Sequence, residues 1–459
     1  MAVSLLAGAT RAQDEPPPAP EPAPEEVQDE EPEPAPEEPE QEPEAEPEVA
    51  PEDAPEAAAP EEPEELLFVR AERLIVRPGH ALAPGQVLMR NGVIVRVGSD
   101  LAAPDGAQVI EGAVVCAGFI DPWSALGVMP SALADGNTDA ASLTRDAIDW
   151  WSDEDVREEA LRAGVTAARV QIGQPAFVAG IGAMVRTAPE LSLDDAVILD
   201  EAALAANVGM SQEGGGQIFF DVETGTVRFE TGVRAIDPFD RIAQIERLAG
   251  ELEGGRKYLE DKIEYRYELE EWEKKIAEKE KELEKEFKKA KKDREKDEKK
   301  ATEDGKEFKD KKYKEDKRPS EPRFDAAKET WARVVEGELP LIVHVHRSAE
   351  IRTLLEATKG FDRLRLVLAG ATEAADHAAK LAERKIPVIL WPVPVGKAGK
   401  GQWDEWEGHS LSLAAQLAEA GIEVLLGSGG EAPRASRDLP LYAALAVGPG
   451  LDPDPAFAA

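Results

Sequence analysis

The spacing of apolar positions changes twice along the chain. From Leu66 to Cys116 they fall in short runs, LLFVRAERLIVR, QVLMRNGVIVRVG and AQVIEGAVVC, separated by Pro78-Gly79, Asn91-Gly92 and Asp105-Gly106. Short apolar runs bounded by such dipeptides predict strands. Asn91-Gly92 between two of them predicts a hairpin, because both residues tolerate the positive φ of a tight turn. Beyond Gly118 strand-like runs alternate with segments of helical period. DEDVREEALRAG predicts a helix and VTAARVQIG a strand; AQIERLAGELE predicts another helix. LPLIVHVHR, RLRLVLAG, IPVILWPVP and IEVLLGSGG then predict buried strands, interleaved with the helices SAEIRTLLEATKG, EAADHAAKLAERK and SLAAQLAEAG. Such alternation implies a parallel sheet flanked by helices, and the number of units suits a (β/α)8 barrel over 118–459.

Two segments stand outside this rhythm. Residues 13–65 are nearly all Pro, Glu, Ala, Asp and Gln. They hold too little apolar surface to offset the entropy of ordering, so a disordered linker is expected. Residues 254–322 are dense in Lys and Glu. Leu259, Ile263 and Tyr267 repeat at helical spacing, Trp272 and Ile276 extend the stripe, and it fades after Phe287. This predicts a charged helical insertion whose second half is solvated; a coiled-coil partner helix, on poor heptads, is the alternative.

Composition narrows the classes of function. The net charge is −39 over 459 residues, against a nucleic-acid partner, because phosphate binding needs a basic surface. No run reaches the length of a membrane span. The first residues, MAVSLLAGATRA, resemble the end of a secretory signal cleaved after Ala12, which predicts a partial signal peptide over 1–12 and an exported, periplasmic or cell-surface location. The single cysteine, Cys116, excludes an internal disulfide and a multi-cysteine zinc site, and is expected as a small buried apolar residue.

There are five histidines. His344 and His346 alone have metal-site spacing: at i and i+2 of a strand both imidazoles share a face. Hydrogen-bonded core histidines are the plainer alternative. His377 is expected to face solvent, and His80 and His409 to lie in loops.

Taken in order, several stretches resemble the amidohydrolase superfamily, in its imidazolonepropionase-like branch. GVIVRVG followed by GFID resembles the run into the barrel, and TRDAIDWWSDEDVREEALRAGVTAARV the second unit. FVAGIGAMVRTAPE resembles the Gly-rich strand after it. LPLIVHVHRSAEI and LVLAGATEAADHAAKLAERKIPVILWP resemble the fifth and sixth units, and AEAGIEVLLGSGGEAP the eighth. The resemblance implies an α/β protein: an amidohydrolase-like TIM barrel with the strands of 66–117 forming part of a small N-terminal β-sandwich. It also implies further strands beyond Ala459 to complete that sandwich, so the C-terminus is expected to be truncated.

The activity implied is metal-dependent hydrolysis of C–N bonds in cyclic amides, with a metal lowering the pKa of a bound water. The ligands implied are a His-x-His pair after Gly-Phe-Ile-Asp, one imidazole on the fifth strand, one on the sixth and an aspartate on the eighth. These positions hold Trp123 and Ala125, His344 or His346, Gly370, and Gly429. Arg186 is the nearest match to a bridging Lys or Glu. The expectation is therefore a degenerate metal site, with His344 and His346 as vestigial ligands, no catalytic residue and no cofactor. Such a barrel would bind a small-molecule ligand or a protein partner. The alternative is a working hydrolase with zinc or another divalent metal in a reduced site around His344 and His346.

Overall fold

The computed structural model describes residues 65–133, 137–151, 154–173, 176–209, 217–221, 226–230, 238–304, 317–391, 409–430 and 432–459. The signal-like segment 1–12 and residues 13–64 of the acidic linker lie outside them.

The first sheet is built on β1 (Leu66–Arg77). Along one edge β1 pairs antiparallel with β3 (Gly85–Arg90) and then with β2 (His80–Leu82); along the other it pairs in parallel with β5 (Gln108–Cys116). The hairpin from β3 to β4 (Val93–Gly98) turns at Asn91 and Gly92, whose φ values of 49° and 75° are those the dipeptide predicts. Ala71, Leu74 and Val87 form its small core, while Val93, Ile94 and Val114 stay exposed. Cys116 is half-buried where a buried residue was expected, and burial nevertheless raises its thiol pKa. His80 opens β2 and is exposed.

The second sheet has eight strands and curls into a nearly closed barrel: β6 (Phe119–Ser124), β7 (Val165–Val170), β8 (Val178–Arg186), β9 (Val197–Asn207), β12 (Leu341–Val345), β13 (Leu366–Gly370), β14 (Val388–Leu390) and β15 (Val424–Leu426). The hairpin β10 (Gln217–Asp221) and β11 (Thr226–Glu230) forms a separate sheet. The mixed α/β class and the barrel agree with the sequence, but the sheet is not wholly parallel. β8 runs antiparallel to both β7 and β9. The link from β7 to β8, residues 171–177, is shorter than the dozen or more residues a parallel crossover needs. The Ala-rich β9, which the apolar pattern leaves unassigned, supplies the return strand and pairs in parallel with β12.

One helix, Pro238–Asp304, runs straight through Gly254 and Gly255, where the sequence places the start of an insertion. Gly255 is not a break. A Cβ there would stand 2.5 Å from the Trp331 carbonyl carbon, so the glycine lets this helix lie against the helix Ala326–Glu336. The packed face is Ile245, Leu248, Leu252 and Tyr258, while Ile263 and Tyr267 of the expected stripe are exposed. Lys262 Nζ lies 2.8 Å from Glu329 and extends the contact with the second helix.

Candidate functional site

Alternation along β6 and β12 decides which side chains reach the lumen. Ile342 packs in the inner cluster with Trp123, Ala179, Ala203, Ala205, Ala369 and Ile389, whereas Leu341, Val343 and Val345 join the outer core under the helices. His344 and His346, in step with Ile342, therefore face inward together, as their spacing predicts. Trp123 also faces inward. Ala125 does not accompany it: β6 ends at Ser124, and Ala125 packs with Leu126 and Val128 in an outer cluster. The two positions matching the first ligand pair thus point to different layers.

The imidazoles close on each other, with His346 Nε2 2.9 Å from His344 Nε2. Burial holds the His344 pKa down at about 4. The His346 pKa is pushed well below its ordinary value by burial first, then by His344 and by Arg241, Arg347 and His409. Both rings are neutral near pH 7, so one Nε2–H donates to the lone pair of the other. Behind them Arg241 Nη1 meets Glu350 Oε1 at 3.0 Å in a buried ion pair, and Glu350 Oε2 accepts the Arg347 N–H.

Aromatic rings fill the mouth of the lumen. The Trp123 and Trp391 rings lie 6.2 Å apart between centroids and only 14° from parallel, and the His344 ring is 6.1 Å from the first and 5.5 Å from the second. Gly429 and Gly370 border this group, and both have positive φ. A Cβ at 429 would stand 2.8 Å from Trp391 Cδ1, and a Cβ at 370 would stand 2.7 Å from His346 Cε1.

The seam between β6 and β15 is closed by side chains. Asp121 Oδ1 accepts the Ser428 N–H at 3.0 Å and the Trp123 N–H at 3.2 Å. Its Oδ2 accepts the Ser436 hydroxyl at 2.7 Å, and Ser436 Oγ also lies 2.7 Å from Ser124 Oγ. Ser428 Oγ donates to the Trp123 carbonyl. Burial raises the Asp121 pKa, and these hydrogen bonds oppose the rise.

On β7, Arg169 and Gln171 also point into the lumen. Arg169 Nη2 donates to Gln171 Oε1 at 2.6 Å and to the Ala203 carbonyl at 3.3 Å, and its guanidinium carbon lies 5.1 Å from the Trp123 ring centre. Gln171 in turn donates to the Ala179 carbonyl. Gly182 makes room for this arrangement, since a Cβ there would stand 2.7 Å from Arg169 Nη2.

Comparison with family models finds no match, and neither does comparison with curated proteins. Solved structures do match. An amidohydrolase from Thermotoga maritima is similar at a TM-score of 0.57 and 20% identity, over 85% of this chain and 85% of that one. The fold is that of an amidohydrolase. Ochratoxinase from A. niger aligns at a TM-score of 0.43 and 14% identity, over 87% of this chain and 83% of its own. N-isopropylammelide isopropylaminohydrolase from Burkholderia multivorans aligns at 0.39 and 14%, over 85% and 83%.

The amidohydrolase resemblance implies a divalent metal in this lumen, and the donors among the described residues do not fit one. A catalytic zinc takes three protein ligands and an open position. His344 and His346 supply two imidazoles, each bonded to the other. Trp123, Gly370 and Gly429 supply no donor, and all of the polar contacts of Asp121 are committed to the seam. Among the described residues no group of three or more His, Cys, Asp or Glu could hold a metal ion.

The other sequence candidates lie elsewhere. Arg186 is exposed at the end of β8 and donates to the Asp195 carbonyl. His377 is not solvent-facing: it is half-buried, and its Nε2 lies 2.8 Å from the Ser348 carbonyl, joining two helix starts. His409 is half-buried, and burial lowers its pKa. The sequence reading passed over Asp121, Arg169, Gln171 and Trp391. The signal for Arg169 and Gln171 was present, because period-2 alternation in VTAARVQIG places both on one face of the strand, between apolar neighbours.

Proposed function

We propose that this protein is a non-catalytic member of the amidohydrolase superfamily, in the imidazolonepropionase-like branch, whose barrel binds a small molecule. The observation that supports this best is steric. The spaces where the sixth- and eighth-strand ligands would project are filled by the His344–His346 pair and by Trp391, within 3 Å of any Cβ at 370 or 429. A lumen whose ligand positions are occupied in this way keeps aromatic and polar surface for binding and lacks the donors for activating a water. In the same reading the chain is exported, to the periplasm or the cell surface. The strands of 66–117 are one layer of a small sandwich.

Elemental analysis of the purified chain after incubation with zinc or manganese and dialysis tests the reading, together with turnover of a panel of cyclic amides. Substoichiometric metal and no hydrolysis are expected. One tightly held metal per chain with turnover would instead establish a working hydrolase with a reduced site around His344 and His346.

A further inference from the structure

We propose that Arg169 is the anion-binding centre of the barrel, and that the ligand it takes is a small monocarboxylate with a flat apolar body. This deepens the reading of the barrel as a binding protein and rests on it.

The guanidinium is buried in the lumen, yet only one of its nitrogens is bonded: Nε and Nη1 have no acceptor among the described residues. No carboxylate pairs with it among those residues, since Asp121 is turned to Ser428 and Ser436. Desolvation lowers the arginine pKa to about 9, which still leaves it charged at neutral pH. A buried cation without counter-charge is costly, and an anion that takes up its unbonded donors offsets much of that cost. The group is also held in place for such a partner. Nη2 is fixed by Gln171 and the Ala203 carbonyl, and the slot left by Gly182 admits the guanidinium against β8. Carboxylates match the fork of guanidinium donors.

The neighbours set the rest of the ligand. Ala179, Ala203 and Ala205 present small side chains to the lumen. Trp123, Trp391 and His344 present flat faces on the mouth side, where His344 and Trp391 are partly exposed while Trp123 is buried. Arg169 brings one guanidinium to this wall of the lumen, beside the Trp123 ring, and a single positive charge matches a monoanion and not a phosphate dianion.

The test is calorimetric titration of the full chain with benzoate, with its uncharged analogue benzamide and with inorganic phosphate. Saturable benzoate binding is expected, with benzamide and phosphate weaker by roughly ten- to a hundredfold, the range for a hydrogen bond to a charged group. Arg169→Met should weaken benzoate by the same factor, and Arg169→Lys by less. Absence of benzoate binding, equal affinity for benzoate and benzamide, or phosphate binding as tight as benzoate would each overturn the proposal. Should Arg169→Met fail to fold, the benzoate and benzamide comparison on the unaltered chain still decides. Metal uptake with turnover, alongside intact benzoate binding, would overturn the non-catalytic reading alone.

Discussion

Asp121 at the β6–β15 seam and Arg169 on the β7 wall are both buried titratable groups in one lumen, and their surroundings differ. Asp121 accepts three hydrogen bonds from Trp123, Ser428 and Ser436, and through them it joins the first and last strands. Its shell is complete, and its role is structural. Arg169 has one nitrogen bonded and two left over. The contrast separates a polar group that holds the fold together from one held ready for something else. In a low-dielectric interior a satisfied polar group is a strut, and a half-satisfied one is a cost unless a partner arrives.

The comparison is broken most severely at the seam. Asp121→Ala leaves the Trp123 and Ser428 N–H groups and the Ser436 hydroxyl without their acceptor at the point where strand pairing does not close the barrel. A loss of about 3–5 kcal/mol is expected in urea unfolding. Asp121→Asn keeps the Oδ1 acceptor for both N–H groups and should lose clearly less. Equal losses from the two variants would mean that packing, and not hydrogen bonding, holds the seam.

The filled ligand positions come next. Gly370→Ala places a Cβ against His346 on a backbone with φ of 78°. Left-handed strain and overpacking together should cost about 2–4 kcal/mol. A near-neutral result would show that the histidine pair yields easily, and would reopen the lumen to a sixth-strand ligand.

What the sequence revealed follows from what local pattern can encode. Turn dipeptides and strand–helix alternation disclosed the barrel from β12 to β15, because each strand there is followed by its own helix. The same pattern could not reveal that β8 runs backwards, since direction depends on the length of the link over 171–177. It also divided the long helix at Gly254-Gly255, where the glycines answer to close packing on Trp331. At the site, the inward pairing of His344 and His346 was legible from spacing alone. The fate of the ligand positions was legible only as residue identity. That Trp391 fills the space beside Gly429, that Ala125 turns to the outer layer, and that Asp121 ties β6 to the segment after β15 are tertiary facts between residues far apart in sequence.

Smaller than either substitution is the effect of pH on the lumen. The His344 pKa is depressed from 6.5 to about 4, so the native state prefers the neutral ring. The stability this contributes is complete above about pH 6.5 and is lost as pH falls towards 4, because the unfolded chain binds the proton first. The slope should approach about 1.4 kcal/mol per pH unit for each such imidazole. Asp121 acts in the opposite sense: its raised pKa makes the native state the better proton binder, which offsets part of the loss at the acid end. Urea midpoints between pH 7 and 5 should therefore fall for the unaltered chain and fall less for His344→Gln. An identical slope in the variant would place the titration elsewhere.

The smallest effect is expected at Arg169, and it is the sharpest test of the contrast. Arg169→Met removes a buried charge whose shell is incomplete and replaces it with an apolar chain of similar length. The variant loses the bonds to Gln171 and to the Ala203 carbonyl, but it also loses the desolvation cost of an unpaired guanidinium. Exchange of buried ionic groups for apolar ones is often neutral or stabilising. Without ligand, the net change in unfolding free energy should stay within about 1 kcal/mol, far from the loss at Asp121. A loss as large as that of Asp121→Ala would mean that Arg169 is a strut after all, its remaining donors satisfied within the folded chain. With benzoate present the two proteins should separate: the unaltered chain gains stability in proportion to the logarithm of ligand concentration, and Arg169→Met does not.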